Sequence, residues 1–92
     1  MLKTFYYDEA KNTRLLTERG LSFPQIIQCI ENGGIVDIIL NPQQEKYPNQ
    51  KIYVIDIGDY LCAVPFDENE TTVFLRTIYK SRKINRHYKN KE

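Results

Sequence analysis

Apolar residues recur at helical spacing in the first third of the chain and switch to alternation or continuous runs from Ile35 onward. The clearest helix follows Ser22-Phe23-Pro24-Gln25, a capping signature with proline in the first turn, where Phe23, Ile26, Ile27 and Ile30 share one face. Gly33-Gly34 stops it. Before this segment, Asp8 is placed to cap a helix that Gly20 ends, and Met1 to Tyr7 alternates only enough for a short strand.

Beyond Gly34 the period is that of strands. Ile35 to Leu40 is closed by Asn41-Pro42, and a polar loop runs on through Gln50. Lys51 to Gly58 and Tyr60 to Phe66 form the next pair, with Gly58-Asp59 as a two-residue hairpin turn. Pro65 lacks a ladder donor, so its strand is expected to end or bulge there. An acidic loop, Asp67-Glu68-Asn69-Glu70, leads into a strand from Thr71 to Tyr79. Its alternation sets Val73, Leu75, Thr77 and Tyr79 against Phe74, Arg76 and Ile78. Ser81 then caps a last helix in which Ile84 and Tyr88 share a face. The expected architecture is α+β: two N-terminal helices packed on a mainly antiparallel sheet of about four strands, with a C-terminal helix.

With 92 residues the chain forms one domain, 1–92, large enough to fold without a metal or disulfide. Cys29 and Cys62 sit in apolar surroundings and read as buried reduced thiols, and no CxxC spacing occurs. The start of the chain lacks the apolar stretch of a signal peptide, and Asp37, Asp56 and Asp59 break the longest apolar runs. A cytoplasmic location away from membranes is the default expectation.

Charge changes the picture. From Arg76 to Glu92 the chain holds seven basic side chains (Arg76, Lys80, Arg82, Lys83, Arg86, Lys89 and Lys91) and one acid, whereas residues 1–75 hold six Lys or Arg and eleven Asp or Glu. A net charge of +1 therefore conceals opposed fields, and the cationic end favours a phosphate polymer or an acidic partner. The alternative is a solvated basic terminus.

Arg82 and Lys83 fall in the first turn of the last helix, where the macrodipole is already positive, so they suit either an incoming anion or screening by water. Arg76 lies mid-strand. With Phe74 and Ile78 on its face it would have an apolar border that strengthens its hold on a phosphate, and Lys51 could approach from a neighbouring strand. Both are otherwise edge charges that discourage aggregation. His87, the sole imidazole, lies among cations that favour its neutral form, which suits a general base or a plain surface residue. Walker, HExxH, nucleophile-elbow and dinucleotide fingerprints are absent, so no cofactor is called for. Asp56 and Asp59 read as turn and solvent-face residues.

Several segments, in order, resemble the BrnT family of type II toxins, within the RelE-like ribonuclease group. They are Tyr6-Tyr7-Asp8 with Lys11 and Asn12; Glu18-Arg19-Gly20-Leu21-Ser22-Phe23, similar to K-H-G-(I/V)-S-F; Lys51 followed by Gly58, similar to R-x-x-x-x-G; and Leu75-Arg76-Thr77-Ile78 with Ser81-Arg82-Lys83, similar to I-R-(I/L)-I-S-A-R-K. The chain departs from the pattern with Arg19 for histidine, Lys51 for arginine, Pro65-Phe66 where a His-Thr pair is usual, and Tyr79-Lys80 for smaller residues.

The resemblance implies a RelE-like fold and metal-independent RNA cleavage, with the 2′-hydroxyl attacking the adjacent phosphate. It implies Arg76, Arg82 and Lys83 as phosphate-binding or charge-stabilising residues, Lys51 as an addition, and Tyr88, His87 or Lys51 for proton transfer. It also implies a cognate antitoxin as partner, with a homodimer inside that complex as a further assembly. Against this toxin reading stand a non-catalytic nucleic-acid-binding module and a protein-interaction domain with a cationic terminus.

Overall fold

A computed structural model describes residues 3–58 and 60–89. Its elements are β1 (Thr4–Tyr6), α1 (Glu9–Arg19), α2 (Phe23–Glu31), β2 (Ile35–Leu40), β3 (Lys51–Asp56), β4 (Leu61–Glu68), β5 (Thr72–Leu75), β6 (Tyr79–Lys80) and α3 (Arg82–Lys89). The order in the sheet is β1-β5-β4-β3-β2, with β6 pairing to β4 beside β5. Only β1 with β5 is parallel among the described pairs. The fold is α+β as expected, but with six strands rather than about four.

Local chemistry sets both N-terminal helices. Asp8 Oδ1 accepts from Ala10 N at 2.8 Å and Lys11 N at 3.2 Å, and Gly20 closes α1 in the left-handed region at φ 68°. Ser22 Oγ accepts from Gln25 N at 3.3 Å to start α2. The two helices are tied together by Asn12 Oδ1, which accepts from Phe23 N at 2.7 Å. Gly34 is needed for space: a Cβ there would stand 2.8 Å from the Cys29 carbonyl oxygen.

The helices and the link between them bury Leu15, Leu21, Phe23 and Ile26 against one sheet face, made of Tyr53, Ile55, Cys62, Val64, Phe66, Val73, Leu75 and Ile78. Tyr53 and Phe66 stack there with ring centres 3.9 Å apart. Burial pushes the Cys62 thiol up to about 11, while Cys29 is only half-buried rather than fully enclosed. On the opposite face, Ile52, Val54, Leu61 and Ala63 are buried in turn. There α3 packs on β4, and the Tyr88 hydroxyl donates to Asp37 Oδ2 at 2.5 Å. That carboxylate holds the Tyr88 hydroxyl above the ordinary tyrosine range.

Three strand expectations change. First, β4 runs through Pro65 to Glu68, so Asp67 and Glu68 are strand residues and the turn lies beyond them. Asn69 Oδ1 shapes it by accepting from Thr71 N and Thr72 N at 2.9 and 2.8 Å. Second, the strand expected over 71–79 is two pieces. Phe66 pairs with Leu75 and Ala63 with Tyr79, so three residues, Arg76, Thr77 and Ile78, face two, Val64 and Pro65. Third, this β-bulge reverses the alternation: Ile78 is fully buried in the helix-side core, while Phe74 and Arg76 lie on the other face.

The cause is Pro65. Arg76 N donates to the Pro65 carbonyl at 2.8 Å, but proline has no N–H to return the second bond of the pair. The freed segment is held instead by Arg19, whose Nη1 donates to the Ile78 carbonyl at 2.6 Å.

The β3–β4 hairpin follows expectation, with Asp56 opposite Leu61 and Ile57 N donating to Tyr60 O at 3.2 Å. Asp56 Oδ1 accepts from Gly58 N at 2.8 Å, as a turn residue should, and Asp59 lies outside the described residues. Among the described residues, no helix is long and apolar enough to cross a membrane.

Where β6 ends, Asn85 continues the ladder of β4 with its side chain. Its Oδ1 accepts from Leu61 N at 2.8 Å and its Nδ2 donates to Leu61 O at 2.9 Å. Replacing Asn85 by Ala leaves both buried backbone groups unpaired, so chemical denaturation should show a loss of about 2 kcal/mol.

Candidate functional site

Pro65, by opening the ladder, leaves a cleft of about 790 Å³ where β4, the 76–79 segment and the 41–50 loop meet. The loop is built around two buried amides. Asn41 N donates to Gln50 O at 2.8 Å, and Asn41 Nδ2 donates to Gln50 Oε1 at 2.9 Å, which closes the loop at its base. Asn41 Oδ1 also accepts from Gln43 N at 2.9 Å, and Asn49 takes a left-handed conformation at φ 62°, one that asparagine tolerates.

Three cations line this cleft, Lys11 from α1, Lys46 from the loop and Arg76, against the single carboxylate of Asp67. Arg76 Nε is ion-paired with Asp67 Oδ2, and its guanidinium carbon lies 4.5 Å from the centre of the Phe74 ring. Lys46 approaches the Tyr47 ring at 5.6 Å. Neither Lys11 nor Lys46 has a carboxylate within 4.0 Å among the described residues. Tyr47 and Tyr79 add aromatic walls, and burial holds the Tyr79 hydroxyl above its ordinary pKa, so it is protonated at neutral pH. Positive charge, a hydroxyl donor and flat rings together suit a phosphate-linked chain of bases.

Of the six site residues read from the sequence, only Arg76 lines the cleft. Lys51 is on the wrong face. Its register partner is the core residue Phe66, and its Nζ pairs with Glu68 Oε1 at 3.1 Å, whereas Arg76 pairs with Asp67 on the other side of the sheet. Arg82 and Lys83 are exposed in the first turn of α3, where Ser81 Oγ accepts from Ile84 N at 3.2 Å. That turn follows β6, near the Leu61 end of β4, and four residues of strand separate it from Pro65, or about 13 Å. His87 is exposed on α3, edge-on to Tyr88 at 4.9 Å, and Tyr88 itself is committed to Asp37. Cations from the last strand and helix therefore do not meet in one pocket.

Sequence reasoning missed Lys46, Tyr47, Asn41, Gln50, Asp67 and Tyr79 as parts of a site. A signal existed in the Asn41-Pro42 and Tyr47-Pro48 pairs, which mark a constrained loop rather than a floppy one. Lys11 stood in the family-like N-terminal segment without an assigned role. Among the described residues, no group of three or more His, Cys, Asp or Glu is arranged to hold a metal ion.

On the helix side, Glu68 bridges Lys3 at 2.8 Å and Lys51 at 3.1 Å, and these bonds hold its carboxyl below the usual glutamate value of 4.5. A depressed carboxylate adds stability above the unfolded-state pKa and loses it as pH falls through the lower folded value. Because the group is largely hydrated, Glu68→Gln should cost under about 1 kcal/mol at pH 7. That difference should close as pH drops below 4.5 in urea melts. No protein-family model, no curated protein and no solved structure matches the chain.

Proposed function

We propose that the chain binds single-stranded RNA in the cleft beneath the 41–50 loop and cleaves it without a metal. This is the activity of a type II toxin of the kind that the BrnT resemblance implies, opposed by a cognate antitoxin. The observation that carries the reading is the meeting of Arg76, Lys11 and Lys46 with Tyr47 and Tyr79 around one opening.

In this reading the 2′-oxygen bonds to phosphorus as the bond to the 5′-oxygen breaks, leaving a 2′,3′-cyclic phosphate and a free 5′-hydroxyl. The 2′-hydroxyl gives its proton to water at the open mouth, and the departing 5′-oxygen takes one from the Tyr79 hydroxyl. Arg76 and the two lysines offset the charge that builds on the phosphoryl oxygens. Tyr47 supplies a flat surface for a base, and Arg82, Lys83 and Arg86 on exposed α3 extend the positive field for a longer strand or an acidic antitoxin segment.

A second reading, a nucleic-acid-binding module without catalysis, is favoured by one feature. His87 and Tyr88 lie away from the cleft, so no imidazole serves it among the described residues.

The test is incubation of the purified chain with a fluorescent single-stranded RNA in excess chelator. Expected is cleavage to cyclic-phosphate ends that a 2′-deoxy substitution abolishes, that Arg76→Ala slows by about 100-fold, and that Tyr79→Phe slows markedly. Salt-sensitive binding without scission selects the module reading. Absence of both binding and scission at low salt overturns the two together. Induced expression in a bacterium should arrest growth in an Arg76-dependent manner if the toxin reading is right.

A further inference from the structure

Arg76 is fixed at three points. Its backbone N–H donates to the Pro65 carbonyl, its Nε donates to Asp67 Oδ2, and its guanidinium lies over the Phe74 ring. Asp67 is itself held: Gln50 Nε2 lies 3.5 Å from its Oδ1, and Gln50 is bonded to Asn41. Both amides are 8% exposed, so the chain Asn41, Gln50, Asp67, Arg76 leads from a buried anchor to a half-exposed cation. The terminal guanidinium nitrogens of Arg76 have no hydrogen-bond partner among the described residues.

From this arrangement we infer that Asp67 is a positioning residue: it fixes the guanidinium through Nε and leaves the terminal N–H edge for two oxygens of one phosphodiester. The inference rests on the RNA reading above for the identity of the ligand. An arginine held by one edge and one ring face gives up less rotamer freedom when a planar oxygen pair docks on the other edge. Asp67 has an opposite effect as well, since its negative charge repels the phosphate. Positioning and charge therefore predict different signs for the same truncation.

Asp67→Asn and Asp67→Ala separate them. Both remove the charge, but only asparagine keeps an acceptor oxygen for Nε. Affinity is measured with a short fluorescent oligothymidylate, which lacks the 2′-hydroxyl and so reports binding without cleavage. Asp67→Asn should bind at least as tightly as the wild type, and Asp67→Ala about fivefold to tenfold more weakly than Asp67→Asn. In nitrogen-15 spectra, the Arg76 Nε–H signal should be distinct and slow to exchange in the wild type and Asp67→Asn, and should merge with those of exposed arginines in Asp67→Ala.

Equal or tighter binding by Asp67→Ala than by Asp67→Asn overturns the inference, as does a fast-exchanging Arg76 signal in the wild type. A wild-type chain that binds neither the oligothymidylate nor a single-stranded RNA of the same length, yet shows the protected signal, keeps Asp67 as the positioning group and removes the RNA reading instead.

Discussion

A proline inside a paired strand withholds one hydrogen bond, and the shape of the cleft depends on where that bond is missing. Pro65 faces Arg76 with a carbonyl but no N–H, so the neighbouring chain makes one contact where two would have continued the ladder. An extra residue enters there, and Ile78 turns into the core while Arg76 turns out. The carbonyl of Ile78 is then bonded by Arg19 from the end of α1. Thus a local deficit at β4 is met by a long side chain from another layer, and the gap becomes one wall of a cleft.

The sheet divides the charged groups into two sets with different uses. On the helix side, Lys3 and Lys51 flank Glu68, and both lysines pair with that one carboxylate at the rim of the core. Across the sheet, Arg76 meets Asp67 through a single nitrogen and shares the cleft with two lysines that have no carboxylate partner among the described residues. Exposed ion pairs contribute little to stability, so neither arrangement is a main brace for the fold.

Rigidity distinguishes this cleft from an ordinary loop opening. Asn41 and Gln50 close the 41–50 loop with both backbone and side-chain bonds, and burial makes breaking them costly. Gln44 reinforces the closure, with its Nε2 donating to Asn41 O at 2.5 Å and its Oε1 accepting from Asn49 N at 3.0 Å. Because the same amides reach Asp67, the loop and the arginine are set by one connected group of bonds. At the opposite end of that face, Asn85 and Tyr88 anchor α3, so its exposed cations stand on a fixed rod rather than a frayed terminus.

Caps, helical periodicity and the β3–β4 hairpin were legible in the sequence because each depends on residues within a few positions of one another: Asp8, Ser22, Gly20, Gly33-Gly34, and Asp56 with Gly58. The α+β class followed from the order of those local signals, and Pro65 was legible as an interruption. What the sequence could not say was which strand would bend. Only pairing of β4 with both β5 and β6 places the extra residue opposite Val64 and turns Ile78 to the face opposite Arg76, while pairing of β3 with β4 sets Lys51 on the far side of the sheet from that arginine. Faces alternate at every residue, so a single inserted position redirects each side chain after it. Likewise Lys11, Lys46, Asp67 and Arg76 share one opening despite lying far apart in the chain, a proximity that the tertiary fold decides.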